Sequence, residues 1–522
     1  MEKEFYFDKN LSFSKSRLIE TSSHMKNKNY PVGSYAFDSG AKIINNFLPD
    51  LVKNLEGFTG PIYSIEGGRE NPLPEKWQAM ADYFRRNKII SSINFDSFYC
   101  DEPKIIRTTV NIHPDYKKFL QTDGSIPAYG MSAHGDSENV DEAIAKLFGE
   151  MLERYPLLIY RDKELLRASI KTLLKKKKIF LDPRMVSGFS GDQKNIFSGY
   201  QFNKESLFCW TEGKSLFSGK KALIPSQLIF WNYNFQKYGW REPAIREQNT
   251  NGAGGHYALT KAILGGLYEL IQRDGFLIYW LNGLSLQKIK NDSIEYEPLK
   301  NLLEDCQDLG LEVVFLNTMT ELGVPSCICL VLDHSETGPK VSLGGGCESD
   351  WSKALYRSLI ETLGVYHWIR LKKTELGEKY PYLEKIEKPF RDVSINQLKR
   401  LTLWANEKMF DKIKFFLEGE EIDLNELTKN QIKFTSPKKE LEYLTEKFRS
   451  LGKEYEIFYY QAKHKMLDEL GYFSVKVIVP ALVPLYLREI YAPMGARRLK
   501  EVPPKIGFSS SKEWNPWPHP FP

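Results

Sequence analysis

The sequence predicts a mixed α/β fold (an α+β arrangement of alternating elements) preceded by a small N-terminal region of different texture. Strand-like runs alternate with long helical stretches from about residue 96 onward. No low-complexity linker interrupts that alternation. Two of the helical stretches also carry the same polar face, which is the first sign of a shared site.

The chain has 522 residues, enough for two or more ordinary domains or one large domain with an appendage. Apolar content of 42% and aromatic content of 13% allow a sizeable core. Basic and acidic residues, 72 against 67, nearly cancel, which argues against a nucleic-acid partner. Residues 1–95 contain "IINNFLPDLVKNLEG" and "LPEKWQAMADYFRRNKIISSI". These read as short amphipathic helices, the second running into a strand, and together suggest a winged-helix-like or partner-docking element. The opening "MEKEFYFDKNLSFSKSR" is charged and lacks the apolar segment of a secretory signal.

Residues 96–522 read as one further domain. Helices are predicted over 141–154, 257–281 and 350–372, and strands in "KALIPSQLIFW", "LEVVFLN", "SCICLVLD" and "YFSVKVIVPAL". Lys175–Lys178 reads as a solvated helix end or turn. Six cysteines without a CxxC pair make no disulfide framework, and Cys327 and Cys329 alternate as buried strand neighbours do. That usage fits a reducing cytoplasm. The apolar stretch near residue 480 is broken by Lys476, Pro480 and Pro484, so no membrane span is expected. "GGGCESD" at 344–350 lacks the lysine and Ser/Thr of a P-loop and reads as a turn capped by Ser349 or Asp350. The closing "NPWPHPFP" has proline at 516, 518, 520 and 522. Such an extended tail is ordinarily disordered, but its alternating Trp517, His519 and Phe521 make a stiff polyproline-type ribbon that would lose little entropy on docking in a groove.

The chemistry lies in the matched faces. Glu150, Glu153 and Arg154 in "FGEMLERYPLLIY" repeat the spacing of Glu269, Gln272 and Arg273 in "GGLYELIQRDGFLIYW". One such triple is ordinarily a solvated face; two suggest helices converging on a charged ligand. Crowded carboxylates repel unless a cation sits among them, and arginines supply paired donors to phosphate. Arg357 and Glu361 add a third acid and base at i, i+4. "NTNGAGG" at 249–255, with Asn251, precedes the second helix, and its glycines let backbone N–H groups approach an anion. The expectation is a nucleotide–magnesium site.

The blocks "AIAKLFGEMLERY", "LFCWTEGKSLFSGKKALIPSQLIFW", "NTNGAGGHYALTKAILGGLYELIQRDGFLIYW", "ALYRSLIETL" and "NPWPHPFP" resemble, in order and spacing, those of YcaO-domain proteins. The Pro-rich end resembles the azoline-forming branch, the cyclodehydratases of thiazole/oxazole-modified peptides such as bacteriocins. The resemblance implies ATP and Mg2+ as cofactors, with Glu150, Glu153 and Glu269 as metal ligands. It implies nucleotide binding by Lys146, Glu150, Arg154, Asn251, Gln272, Arg273, Arg357 and Glu361, and a catalytic role for the carboxylate of Pro522. It also implies a ribosomal precursor peptide, a ThiF-like or winged-helix leader-binding partner, a flavin dehydrogenase as a further partner, and a homodimer. The chain departs from the family pattern at Lys146 (usually Ser), Gln272 (usually Glu) and Gly364 (commonly Gln). Two readings follow, an active enzyme with a re-tuned site and a degenerate subunit that binds peptide or partner.

Overall fold

The computed structural model describes residues 75–522 apart from 113–132, 234–241, 377–394 and positions 88, 97, 98, 100, 187, 197, 232, 336, 337 and 396. Most of the N-terminal region, residues 1–74, therefore lies outside the described residues. Its end is helix α1 (Glu75–Arg86) and strand β1 (Ile90–Asp96). β1 pairs antiparallel with β2 (Ile106–Ile112), and β2 with β3 (His134–Ser137), in a three-stranded sheet. The chain then enters α2 (Val140–Arg154). The Asn139 side chain accepts the Glu142 N–H at 3.2 Å, while Asp141 and Glu142 in the first turn and Arg154 in the last complement the helix dipole.

Strands β4 (Leu166–Ser169), β5 (Leu207–Ser215), β6 (Lys221–Pro225) and β7 (Ala253–His256) lead to α3 (Leu259–Asn282). α3 ends at Gly283, in the left-handed conformation that closes helices. Next come β8 (Lys288–Ile289), β9 (Leu311–Asn317), β10 (Ser326–Asp333), β11 (Val341–Cys347), α4 (Trp351–Leu376) and α5 (Gln397–Trp404). β12 (Glu421–Ile422), β13 (Phe458–Gln461) and β14 (Phe473–Ile478) complete the strands. They form a five-stranded sheet, β11-β10-β9-β8-β12, and a six-stranded one, β4-β5-β13-β14-β7 with β6 on β5.

Helices join the sheets. α2 packs on β2 and β3 and also on β7 and β14; α3 packs on β7 and β14 and on β10 and β11. α3 is consequently buried on nearly every side, as its apolar content requires. α4 covers β10 and β11 and touches β3. Cys327 and Cys329 sit in β10 as buried, free thiols. Lys175–Lys178 is exposed at the end of a short helix. Among the described residues no helix is long and apolar enough to cross a membrane.

The structure corrects the reading of "GGGCESD". Its glycines form β11, a buried strand paired with β10, rather than a turn. A Cβ on Gly345 would lie 2.5 Å from Gln272 Nε2, and one on Gly346 would lie 1.9 Å from the Ala354 carbonyl. Glycine is needed here so that α3 and α4 can close on the two faces of one strand. Asp350 does cap α4, its side chain accepting the Lys353 N–H at 3.0 Å.

Asp274 fixes α3 to the C-terminal part of the chain. Its carboxylate accepts from Arg498 Nε (2.8 Å) and Nη2 (2.6 Å) and from the Val483 N–H (2.8 Å), with Asp274 and Arg498 both buried. Removing Asp274 leaves buried Arg498 with Glu321 and Tyr455 but without its paired contacts to this carboxylate, and strips the buried Val483 N–H of its acceptor. Asp274→Ala should lower unfolding free energy by about 3–5 kcal/mol in chemical denaturation; a loss below about 1 kcal/mol would show the pair to be dispensable.

Candidate functional site

The polar face of α2 meets β3. Glu150 accepts the His134 N–H at 2.6 Å and pairs with Arg154 one turn on. Arg154 in turn lies 5.9 Å from the ring centre of Trp231. Facing it, Glu269 on α3 accepts the Gly252 N–H at 2.6 Å. Gly252 has φ +85°, and a Cβ there would lie 2.3 Å from the Val477 carbonyl. The glycine turn thus presents its N–H to a carboxylate of the helix that follows it.

Arg273 is the hub. Its guanidinium donates to Gln272 Oε1 (2.8 Å), lies 3.6 Å from Glu269 and 3.8 Å from Glu361, and covers the Phe521 ring at 3.9 Å. Glu361 on α4 also accepts the Gly345 N–H at 2.9 Å. Two helices, α3 and α4, and the chain's last residues therefore share one guanidinium. The terminal ribbon is docked: His519 and Phe521 are fully buried, against Phe276 and Tyr486. Trp280 Nε1 donates to the Trp517 carbonyl (3.2 Å), Trp404 Nε1 to that of Pro518 (2.9 Å), and Arg400 Nη2 to that of Phe521 (3.1 Å). Pro522, next to Phe521, is half-buried.

Other expected site residues are placed less simply. Lys146 is spent on the Asp136 carbonyl (2.9 Å) and Glu142 (3.0 Å). Arg357 is turned outward, 62% exposed at its side chain and paired with Glu348. Gly364 faces the Arg107–Asp136 pair; a Cβ would lie 2.4 Å from Asp136 Oδ2, and its carbonyl accepts from Arg107 at 2.9 Å. Asn251 is buried with neither amide atom hydrogen-bonded. Sequence reasoning missed Arg400, whose signal was a charge within "QLKRLTLW", and Lys476, which it read only as a break in an apolar run. A lone charge among strand-forming apolar residues is a signal for a buried functional group.

Burial, then the nearby Glu269 carboxylate, raise Glu153 to about 8. Burial likewise raises Glu150 and Glu361, although Arg154 and Arg273 respectively oppose it. Four carboxyl groups (Glu150, Glu153, Glu269, Glu361) thus gather around two guanidiniums (Arg154, Arg273). Among the described residues no three His, Cys, Asp or Glu side chains are gathered closely enough to enclose a metal by themselves. The donor set nevertheless fits Mg2+ bound jointly with phosphate: hard carboxylates, arginines, the unpaired Arg273 Nε and the orphaned Asn251 amide.

Because the folded protein holds the Glu153 proton more tightly than the unfolded chain, its ionisation is costly. That contribution to stability is full below 4.5, falls as pH rises toward about 8, and stays low above. Without added metal, Glu153→Gln should therefore raise the melting temperature relative to wild type more at pH 9 than at pH 5. Equal shifts at both would contradict the buried, proton-holding carboxyl.

Comparison with known proteins adds the family. A family model described as YcaO cyclodehydratase, ATP- and Mg2+-binding, matches residues 134–483. The fold is similar to that of a heterocyclase in complex with substrate and cofactor (TM-score 0.66, 17% identity, 91% of this chain and 60% of that one). It is also similar to YcaO from Methanopyrus kandleri bound with AMPPCP and Mg2+ (0.52, 18%, 77% and 90%). A third likeness is to the Escherichia coli microcin synthetase McbBCD complex (0.51, 14%, 82% and 97%). An uncharacterized protein encoded in the tfuA 3' region of Rhizobium leguminosarum bv. trifolii is 24% identical over 163 residues, 29% of this chain. The chain spans only 37–39% of the length of the curated relatives it matches.

Proposed function

The chain belongs to the YcaO family, whose members bind ATP and Mg2+, and from that premise we propose that it is a peptide backbone cyclodehydratase. A Cys, Ser or Thr side chain of a precursor peptide loses its proton and attacks the preceding amide carbonyl. The carbonyl oxygen then displaces ADP from the γ-phosphorus of ATP. Loss of the amide proton and cleavage of the C–O bond release phosphate, carrying that oxygen, and leave the C=N bond of a thiazoline or oxazoline. Phosphorylation turns a poor leaving group into a good one.

The observation that carries this reading is the sharing of Arg273 by α3, Glu361 and the docked Phe521. It brings the anion-binding residues and the chain's last residues to one place. Glu150, Glu153 and Glu269 would hold Mg2+, which when bound offsets phosphate charge. Arg154 and Arg273 face phosphate oxygens, with Gln272 and Glu361 orienting Arg273. The Pro522 carboxylate, beside buried Phe521, takes a proton from the attacking side chain or the amide nitrogen. Lys146 and Arg357 reach phosphate only by leaving Asp136, Glu142 and Glu348. A leader-binding partner in trans fits the likeness to a component of a synthetase complex.

The mechanism is tested with a Cys-bearing precursor carrying 18O in the amide before the cysteine, incubated with the protein, its partner, ATP and Mg2+. The label should appear in inorganic phosphate; label released into water would rule out O-phosphorylation. The tail is tested by adding one or two glycines after Pro522, which keeps every side chain and moves only the charge. Heterocycle formation should fall by about a hundredfold or more while ATP affinity survives. Undiminished cyclisation would remove the carboxylate from the reaction.

A further inference from the structure

Two buried cations lie beside the site without a carboxylate in direct contact among the described residues. Lys476, in β14, is 1% exposed, and its ammonium donates to the Asn249 carbonyl at 2.8 Å. Arg246, three residues before Asn249, is 9% exposed. Neither makes an ion pair among the described residues, and the two are close enough to repel: burial, then Arg246, draw Lys476 down to about 7. Burial alone draws Arg246 down to about 10. In the same turn Asn251, 3% exposed, leaves both amide atoms without a hydrogen bond.

Burying like charges side by side is costly, and an unpaired buried amide adds to that cost. The arrangement offers an ammonium, a guanidinium and an amide NH2, all donors, so its complement is an oxyanion. Two cations match a phosphate dianion better than a single carboxylate. Lys476 also feels Glu153 and Glu269, which puts this group at the edge of the acids assigned to magnesium.

We propose that Arg246, Lys476 and the Asn251 amide form a pocket for a phosphate dianion, which receives the phosphoryl group that leaves the reaction as inorganic phosphate. The role in the reaction rests on the cyclodehydratase reading; the binding does not. Calorimetric titrations of inorganic phosphate, ADP and ATP into the full chain test it, with wild type, Arg246→Gln, Arg246→Lys and Asn251→Asp. Inorganic phosphate should bind wild type and lose about tenfold or more in Arg246→Gln and Asn251→Asp, with Arg246→Lys keeping most of the affinity. ADP affinity of Arg246→Gln should change by less than about twofold. A selective loss of ATP affinity in Arg246→Gln identifies the terminal phosphate of ATP as an occupant; unchanged ATP affinity with phosphate binding alongside ADP identifies the free product. Should Arg246→Gln not fold, Asn251→Asp decides. Failure of phosphate to bind wild type, or equal binding to the folded variants, overturns the pocket. Phosphate binding without any ATP binding would leave the pocket standing and sink the cyclodehydratase reading.

Discussion

Arg273 is held from four sides, by Gln272, Glu269, Glu361 and the face of Phe521, and most of the site's geometry depends on that placement. The guanidinium is planar and permanently charged, so it can pair with carboxylates in its plane while stacking on an aromatic ring. It therefore links α3 to α4 electrostatically and to the C-terminal ribbon by cation–π contact, worth about 2 kcal/mol when desolvated. The ribbon is held independently as well. Arg400, fully buried and 3.6 Å from Glu489, donates to the carbonyls of Leu487 and Phe521. Docking the last residues and fixing Arg273 are thus parts of one arrangement.

The electrostatic design is one of near-neutralisation. Glu150, Glu269 and Glu361 are each held by a main-chain N–H and an arginine, while burial and the Glu269 charge keep Glu153 reluctant to ionise. On the proposed reading, a divalent cation would relieve the acids and phosphates would relieve Arg273, Arg246 and Lys476. Gln272 bears on the same balance. Its oxygen is committed to Arg273, so it orients the guanidinium without adding to the crowd of negative charge.

Much of this was legible in the sequence because it is periodic. Glu150, Glu153 and Arg154, and Glu269, Gln272 and Arg273, follow from helical spacing alone, and the stiff alternation of proline with Trp517, His519 and Phe521 implies a segment suited to docking. What was hidden depends on approach between distant segments. The glycines of β11 read locally as a turn, while their reason lies in Gln272 and Ala354 pressing on the strand. Arg357 shares a helix face with Glu361 by spacing, but its long side chain reaches outward to Glu348 instead. Lys476 reads as a flaw in a strand until Asn249 and Arg246 are brought beside it.

The most direct measurement is a crystal structure of the full chain with AMPPCP and Mg2+. The account requires the metal among Glu150, Glu153 and Glu269, the phosphates on Arg154 and Arg273, and the terminal ribbon still docked with Phe521 under Arg273. Nucleotide bound elsewhere, with the Glu150–Arg154 and Glu269–Arg273 pairs undisturbed, would contradict it.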